Sequence, residues 1–240
     1  MHNTTQSTGP RIAIGATLMA ALAIALLPTD ALAHGVASGD KGYIQAIFGV
    51  HAIPYMYLGA KHMVTGYDHL LFLLGVIFFL YRLRDIGLYV TLFAVGHSAT
   101  LLFGVLTGVS VSPYIIDAII GLSVVYKALD NMNAFKAWFG VQPNAKAATL
   151  IFGLFHGFGL ATKILDFEMS PDGLIPNLVA FNVGVEFGQL AALSVILIAM
   201  SYWRATPSFA RNSYRTNVVI MTAGFILMGF QVAGYFLAPV

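Results

Sequence analysis

The 240-residue chain contains no cysteine, and only 9% of its residues are charged. The first absence removes disulfides and thiolate ligands together, so any metal held here is held by nitrogen and oxygen. The second sets it apart from soluble domains, where about a quarter of residues carry charge. A formal charge of +2, with no basic run beyond what membrane topology needs, gives no footprint for nucleic acid. No phosphate-cradling glycine loop is present, so nucleotide use would need a partner. The HxxH boxes of di-iron lipid oxidation are also missing. What remains is apolar: 58% of residues are hydrophobic and the mean hydropathy is +0.81. The fold class is therefore an all-α integral membrane protein, with a cleavable signal peptide and a bundle of about six transmembrane helices.

The first 33 residues have the layout of a secretory signal. Arg11 is the positive flank, 12–27 the apolar core, Pro28 to Asp30 a break, and Ala31-Leu32-Ala33 a small-x-small cut site. Cleavage there gives a mature chain starting at His34, whose amine and imidazole are able to chelate a divalent metal. Residues 34–66 read as an outer-face segment, partly helical or interfacial. Within it, 43–60 is apolar enough to span, but His51 and Pro54 interrupt it. Residues 67–240 form the six-helix transmembrane domain, with runs at 67–82, 86–106, 113–130, 147–165, 176–201 and 217–238. These lengths match an apolar core of about 30 Å at about 1.5 Å per residue.

Lysine and arginine orient the bundle. With the mature N-terminus and the C-terminus outside, the inner loops carry Arg82, Arg84, Lys136, Lys146, Arg204, Arg211 and Arg215. The outer side keeps Lys41, Lys61 and Lys163. Small-residue pairs Gly104/Gly108, Gly153/Gly157 and Gly184/Gly188 match GxxxG, a spacing that lets helix backbones approach in lipid.

Against this apolar background stand His69, His97, Asp117, His156 and Glu186, spread over five of the runs. Each ionisable group near the bilayer centre costs about 2.5–3.5 kcal/mol on insertion scales. Taken singly, each has a bland reading, as a bond to a neighbouring carbonyl or a helix cap. Taken together they mean several independent costs with no common return, unless they build one polar site. His62 and Asp68 extend that series outward. His62, Gly66 and His69 share one helical face if the helix runs unbroken, and Asn182, Glu186 and Gln189 repeat that spacing. The expected metal ligands are His62, Asp68, His69, His97, Asp117, His156 and Glu186. Ser98, Ser123, Asn182 and Gln189 are expected to support them. Imidazole with carboxylate suits Ni, Co, Zn or Cu(II) better than Mg or Ca.

At these residues the chain resembles the HupE/UreJ family of hydrogenase and urease accessory membrane proteins, regarded as nickel or cobalt permeases. The matching pieces are His62-x5-Asp68-His69-Leu-Leu-Phe, Gly96-His97-Ser98, and Ser123 with Asp130-Asn131. Phe152-Gly-Leu-Phe-His156-Gly-Phe-Gly159 and Phe181-Asn-Val-Gly-Val-Glu186-Phe-Gly-Gln189 follow in the family's order. The resemblance implies six spans in a bacterial inner membrane. It also implies a divalent transition metal as substrate, no permanently bound cofactor, and metalloenzyme maturation proteins as partners. The HxxxxDH motif of another nickel-permease type is not matched, because five residues separate His62 from Asp68. Two other functions fit the same residues. One is an intramembrane zinc hydrolase acting on lipid, with three histidines on zinc and Glu186 or Asp117 as base beside Ser98. The other is a membrane protein that delivers metal to an enzyme under assembly.

Overall fold

The computed structural model describes residues 48–165 and 172–237. The signal segment, His34 and most of the acidic outer loop lie outside the described residues. Among those described, the chain is entirely helical. In order the elements are α1 (Ala52–Thr65), α2 (Tyr67–Ile77), α3 (Leu83–Thr107), α4 (Pro113–Asn131), α5 (Ala134–Phe139), α6 (Ala145–Leu165), α7 (Leu174–Arg204) and α8 (Pro207–Leu237). Four of them, α3, α6, α7 and α8, are long and apolar enough to cross a membrane. The chain is a multi-pass membrane protein. The shorter α4 carries Asp117, Lys127 and Asp130 within 19 residues.

The helices pack as three lengthwise pairs. Along α1–α2 and α7 the contacts advance together: Gly49 meets Asn177, Met56 meets Gly184, Ala60 meets Gly188, and Ile77 meets Arg204. These two are therefore parallel. So are α3 and α6, where Phe93, His97 and Gly104 meet Gly153, Gly157 and Ala161. By contrast α4 and α8 are antiparallel, pairing Tyr114 with Gly234, Gly121 with Met228 and Asn131 with Asn217. Glycine makes each pairing possible. A Cβ on Gly153, Gly157, Gly59 or Gly184 would run into the partner's backbone carbonyl. In lipid, where no hydrophobic drive separates helix from solvent, this close backbone approach supplies the packing. Of the three expected glycine pairs, Gly153/Gly157 and Gly184/Gly188 pack in this way. Gly104 meets the side chains of Ala161 and Phe158. Gly108 instead ends α3 in a left-handed conformation at φ 67°.

Two helix limits differ from the sequence reading, and both have local causes. Residues 52–65 form one unbroken helix laid lengthwise on α7. His51 is the N-cap and Pro54 lies in the first turn, where a missing N–H breaks no helical bond, so neither interrupts the helix. Asn177 ties this start to α7, accepting from the His51 amide at 2.7 Å and donating to the Gly49 carbonyl at 2.9 Å. The last helix begins at Pro207, ten residues before the expected 217, because its first turns are polar and carry no apolar signal. Together α1 and α2 cover 52–77, about 39 Å at helical rise. They are broken at Gly66, whose φ −73°, ψ 103° is extended.

Connections at one end of the bundle gather Arg82, Arg84, Lys136, Lys146, Arg204 and Arg211. There the Arg204 guanidinium donates to the carbonyls of Ile77 and Phe78, closing the open C-terminus of α2. Nearby, the buried Lys127 and the exposed Gln142 both bond the Asp130 carboxylate. Asn131 bridges the Gly75 carbonyl and Asn217.

Candidate metal centre

The break at Gly66 is where the polar groups meet. Because α1 ends and α2 begins there, His62 and His69 come from two half-helices and not from one continuous face. Their ring centroids are 5.0 Å apart. His97, from α3, lies 6.0 Å from His69, and His156, from α6, lies 4.8 Å from it. The ligand atoms of His62, His69 and His97 all lie within 4.8 Å of one another. The same holds for Asp68, His69 and His156, so His69 belongs to both triads. Since α1 precedes it, His69 sits about two thirds of the way along the 52–77 stretch, beside His97 and His156. In the expected run 67–82 it stands in the first turn.

Neighbours fix the rings. The Nδ1 of His69 is 3.0 Å from the Asp68 carboxylate, which also accepts the His69 backbone N–H at 2.9 Å. A carboxylate can only accept, so Nδ1 carries the proton and the Nε2 lone pair is left for a metal. Ser123 donates to the Ile120 carbonyl at 2.6 Å and faces His156 Nε2 at 3.3 Å. Its spent hydroxyl can only accept, which puts the His156 proton on Nε2 and leaves Nδ1 free. The unpartnered atoms open to a metal are His62 Nε2, His69 Nε2, one nitrogen of His97 and His156 Nδ1. His97 is fully buried. Each buried polar atom left unsatisfied costs about 1–3 kcal/mol, so a cluster of unpartnered histidine nitrogens calls for a ligand.

The helix break adds to this. The C-terminal carbonyls of α1 direct a partial negative charge toward the histidines, while Asp68 occupies the first turn of α2 and offsets the positive end there. Irregular backbone within a membrane protein is tolerated where it lines a polar cavity, and this one does. His62, Thr65, Gly66, Asp68, His69, His156 and Lys163 surround a space of about 40 Å³ with Asp117. At about 10–15 Å³ of such space per water, that admits a metal ion with a few waters and no lipid headgroup. On the side toward the arginine-rich end, Phe72 and Phe93 pack against the histidine rings. Phe72 lies 5.5 Å and Phe93 5.0 Å from the His156 ring, and the two are 5.3 Å from each other. Phe152 and Tyr126 continue this aromatic layer.

The structure does not bring every expected residue to this point. Glu186 is exposed at the edge of the outward face of α7, whereas Asn182 and Gln189, close to it around the helix, fall just inside the buried face. Wide exposure along α7 makes the i, i+4, i+7 spacing of these three a loose stripe, and the middle member turns outward. Asn182 only bonds back to the Leu178 carbonyl of its own helix. Gln189 keeps an unpartnered Nε2 but does not line the cavity. Ser98 is half-buried on α3 and also stands apart from the cavity wall. Asp117 reaches the wall, but as the partner of Lys163, at 2.8 Å. Sequence reasoning assigned Lys163 only to topology. Its i+7 spacing from His156 on one helix face was the available signal.

No curated protein and no solved structure matches the chain. The chain belongs to the HupE / UreJ protein family, associated with nickel or cobalt transport or accessory function, whose model matches residues 38–239.

Proposed function

We propose that the protein is a six-span permease for a divalent transition metal of the Ni/Co class, with α1 and α2 together forming a broken first span. The observation that carries this reading is the clustering of four histidines from four helices, three of them lining one small cavity and His97 grouped with His62 and His69, with buried nitrogens that no protein group partners. The sharing of His69 by two triads suits an ion that is handed from one set of ligands to the next. Conduction needs binding that is strong enough to admit an ion and weak enough to release it.

The arginine-rich end is the cytoplasmic end by the positive-inside rule. The cavity mouth at Asp117 and Lys163 then faces outward, and the aromatic floor of Phe72 and Phe93 is the inner barrier of an outward-facing state. A metal arriving from outside exchanges water for imidazole at His62, His69, His97 and His156, with Asp68 as ligand or as the group that orients His69. Onward movement requires the floor to part, and the Gly66 break gives α2 a point about which to tilt. The family association supports placing it in the bacterial inner membrane and linking it to metalloenzyme maturation. A lipid hydrolase is disfavoured, because the cavity has no room for a headgroup.

Uptake of labelled Ni²⁺, Co²⁺, Zn²⁺ and Cu²⁺ into proteoliposomes tests this reading. Wild-type protein accumulates at least one metal, and His97→Ala and His156→Ala abolish uptake while the protein still inserts. Normal uptake by both variants would remove the central residues from the reading. Binding by wild type without uptake would favour the metal-delivery role.

A further inference from the structure

A group of the wrong sign for a cation site stands in the wall of the cavity. Lys163 Nζ donates to both oxygens of Asp117, at 3.0 and 2.8 Å, and the two side chains are only 18% and 12% exposed. Lys163 lies two helical turns from His156 along α6, toward the mouth. Asp117 lies outward of Ser123 along α4, and Ser123 touches His156. Both line the same cavity as His62, Asp68 and His69. The pair therefore sits between the histidines and the opening.

Holding α4 against α6 does not require it. Gly159 already lets the helices close, since a Cβ there would meet Ile116 and Ile120 at 2.9 and 3.1 Å. A buried ion pair is in general no more stabilising than an apolar pair of the same size. Within a cation site a fixed ammonium lowers affinity, because like charges across a poorly screened cavity repel. A protein built only to hold its metal gains nothing from that. A protein that must let the metal go does.

We propose that Lys163 is a tethered cation that shares Asp117 with the metal, an inference that rests on the permease reading. With the cavity empty, the ammonium neutralises Asp117 and closes the mouth. An arriving dication repels the ammonium and takes the freed carboxylate as its first protein ligand. As the ion moves inward to the histidines, Lys163 returns to Asp117, raises the local potential and promotes release inward. Lys163 thus sets affinity and turnover without being a ligand itself.

The experiment uses full-length protein, with Ni²⁺ and Co²⁺ as probes, in two assays: calorimetric binding in detergent and uptake in proteoliposomes. Lys163→Met removes the ammonium partner of Asp117. Binding should tighten about tenfold or more, while the saturating uptake rate falls and KM falls with it. The neutral pair Lys163→Met/Asp117→Asn should lose that extra affinity and keep the helical fold, read by circular dichroism. Wild-type binding and kinetics in Lys163→Met would overturn the inference while leaving the histidine site standing. Loss of fold in both variants would also overturn it, making the pair a structural lock. Absence of metal binding by wild type would instead strike the permease reading itself.

Discussion

Replacing Gly66 by alanine sets two effects of opposite sign against each other. The backbone at Gly66, φ −73° and ψ 103°, is open to any L-residue. An alanine there restricts the unfolded chain and by itself stabilises by about 0.4–1 kcal/mol. The new Cβ, however, would stand 2.7 Å from His69 Nδ1, 3.0 Å from the Asp68 carboxylate and 3.2 Å from the His62 carbonyl. The first distance is closer than real contacts allow. The His69 ring cannot swing away freely, because the same Nδ1 is held by Asp68. Relief to an ordinary contact takes most of an ångström, whereas metal–ligand distances tolerate about 0.2 Å. Disturbing the partner that orients a ligating histidine typically costs 10–100-fold in metal affinity, or about 1.4–2.7 kcal/mol. The site should therefore lose more than the fold gains. Gly66→Ala should leave the thermal midpoint in detergent near that of wild type and weaken Ni²⁺ or Co²⁺ binding by about 10–100-fold. Titration calorimetry and a melting curve on the same sample read both quantities. Wild-type affinity in a well-folded Gly66→Ala protein would refute the placement of His69 against Asp68.

Three further outcomes follow from the same geometry. Glu186→Gln should bind and transport metal as wild type does, since the exposed Glu186 does not reach the cavity; a tenfold loss of uptake would show otherwise. Ser123→Ala should weaken binding several-fold rather than abolish it, because it removes only the acceptor that holds His156 in its metal-binding tautomer; an equilibrium titration measures this. Uptake should fall monotonically as the outer solution is acidified, since protons compete with metal for every imidazole and for Asp68; a rise on acidification, measured with the inner pH clamped, would contradict imidazole ligation.

Composition alone determined that this chain lives in lipid, because 58% hydrophobic and 9% charged residues cannot cover a water-facing surface. Four helix positions were legible for the same reason: long apolar runs have one stable form in a bilayer, and α3, α4, α6 and α7 fall within a few residues of their expected limits. His69, His97 and His156 stood out because an imidazole in such a run has a cost that only a shared site repays. The packing partner of 52–65 was not legible. His51 and Pro54 looked like interruptions, and their harmlessness depends on falling at the cap and in the first turn of a helix whose start is tied to Asn177. The depth of His69 changed with it, since depth is counted from where a span begins. Helix period likewise gave Glu186 the same standing as Asn182 and Gln189. Which side of α7 faces the interior was decided by Gly184 and Gly188 meeting the α1 backbone, and that face leaves Glu186 outside. Lys163 read as a topology marker until α6 lay against α4 and set its ammonium on Asp117. A sequence gives each side chain its chemistry and its angle on one helix. Only the packing of the helices in three dimensions decides which of those chemistries share a cavity, because that depends on contacts between residues far apart in the chain.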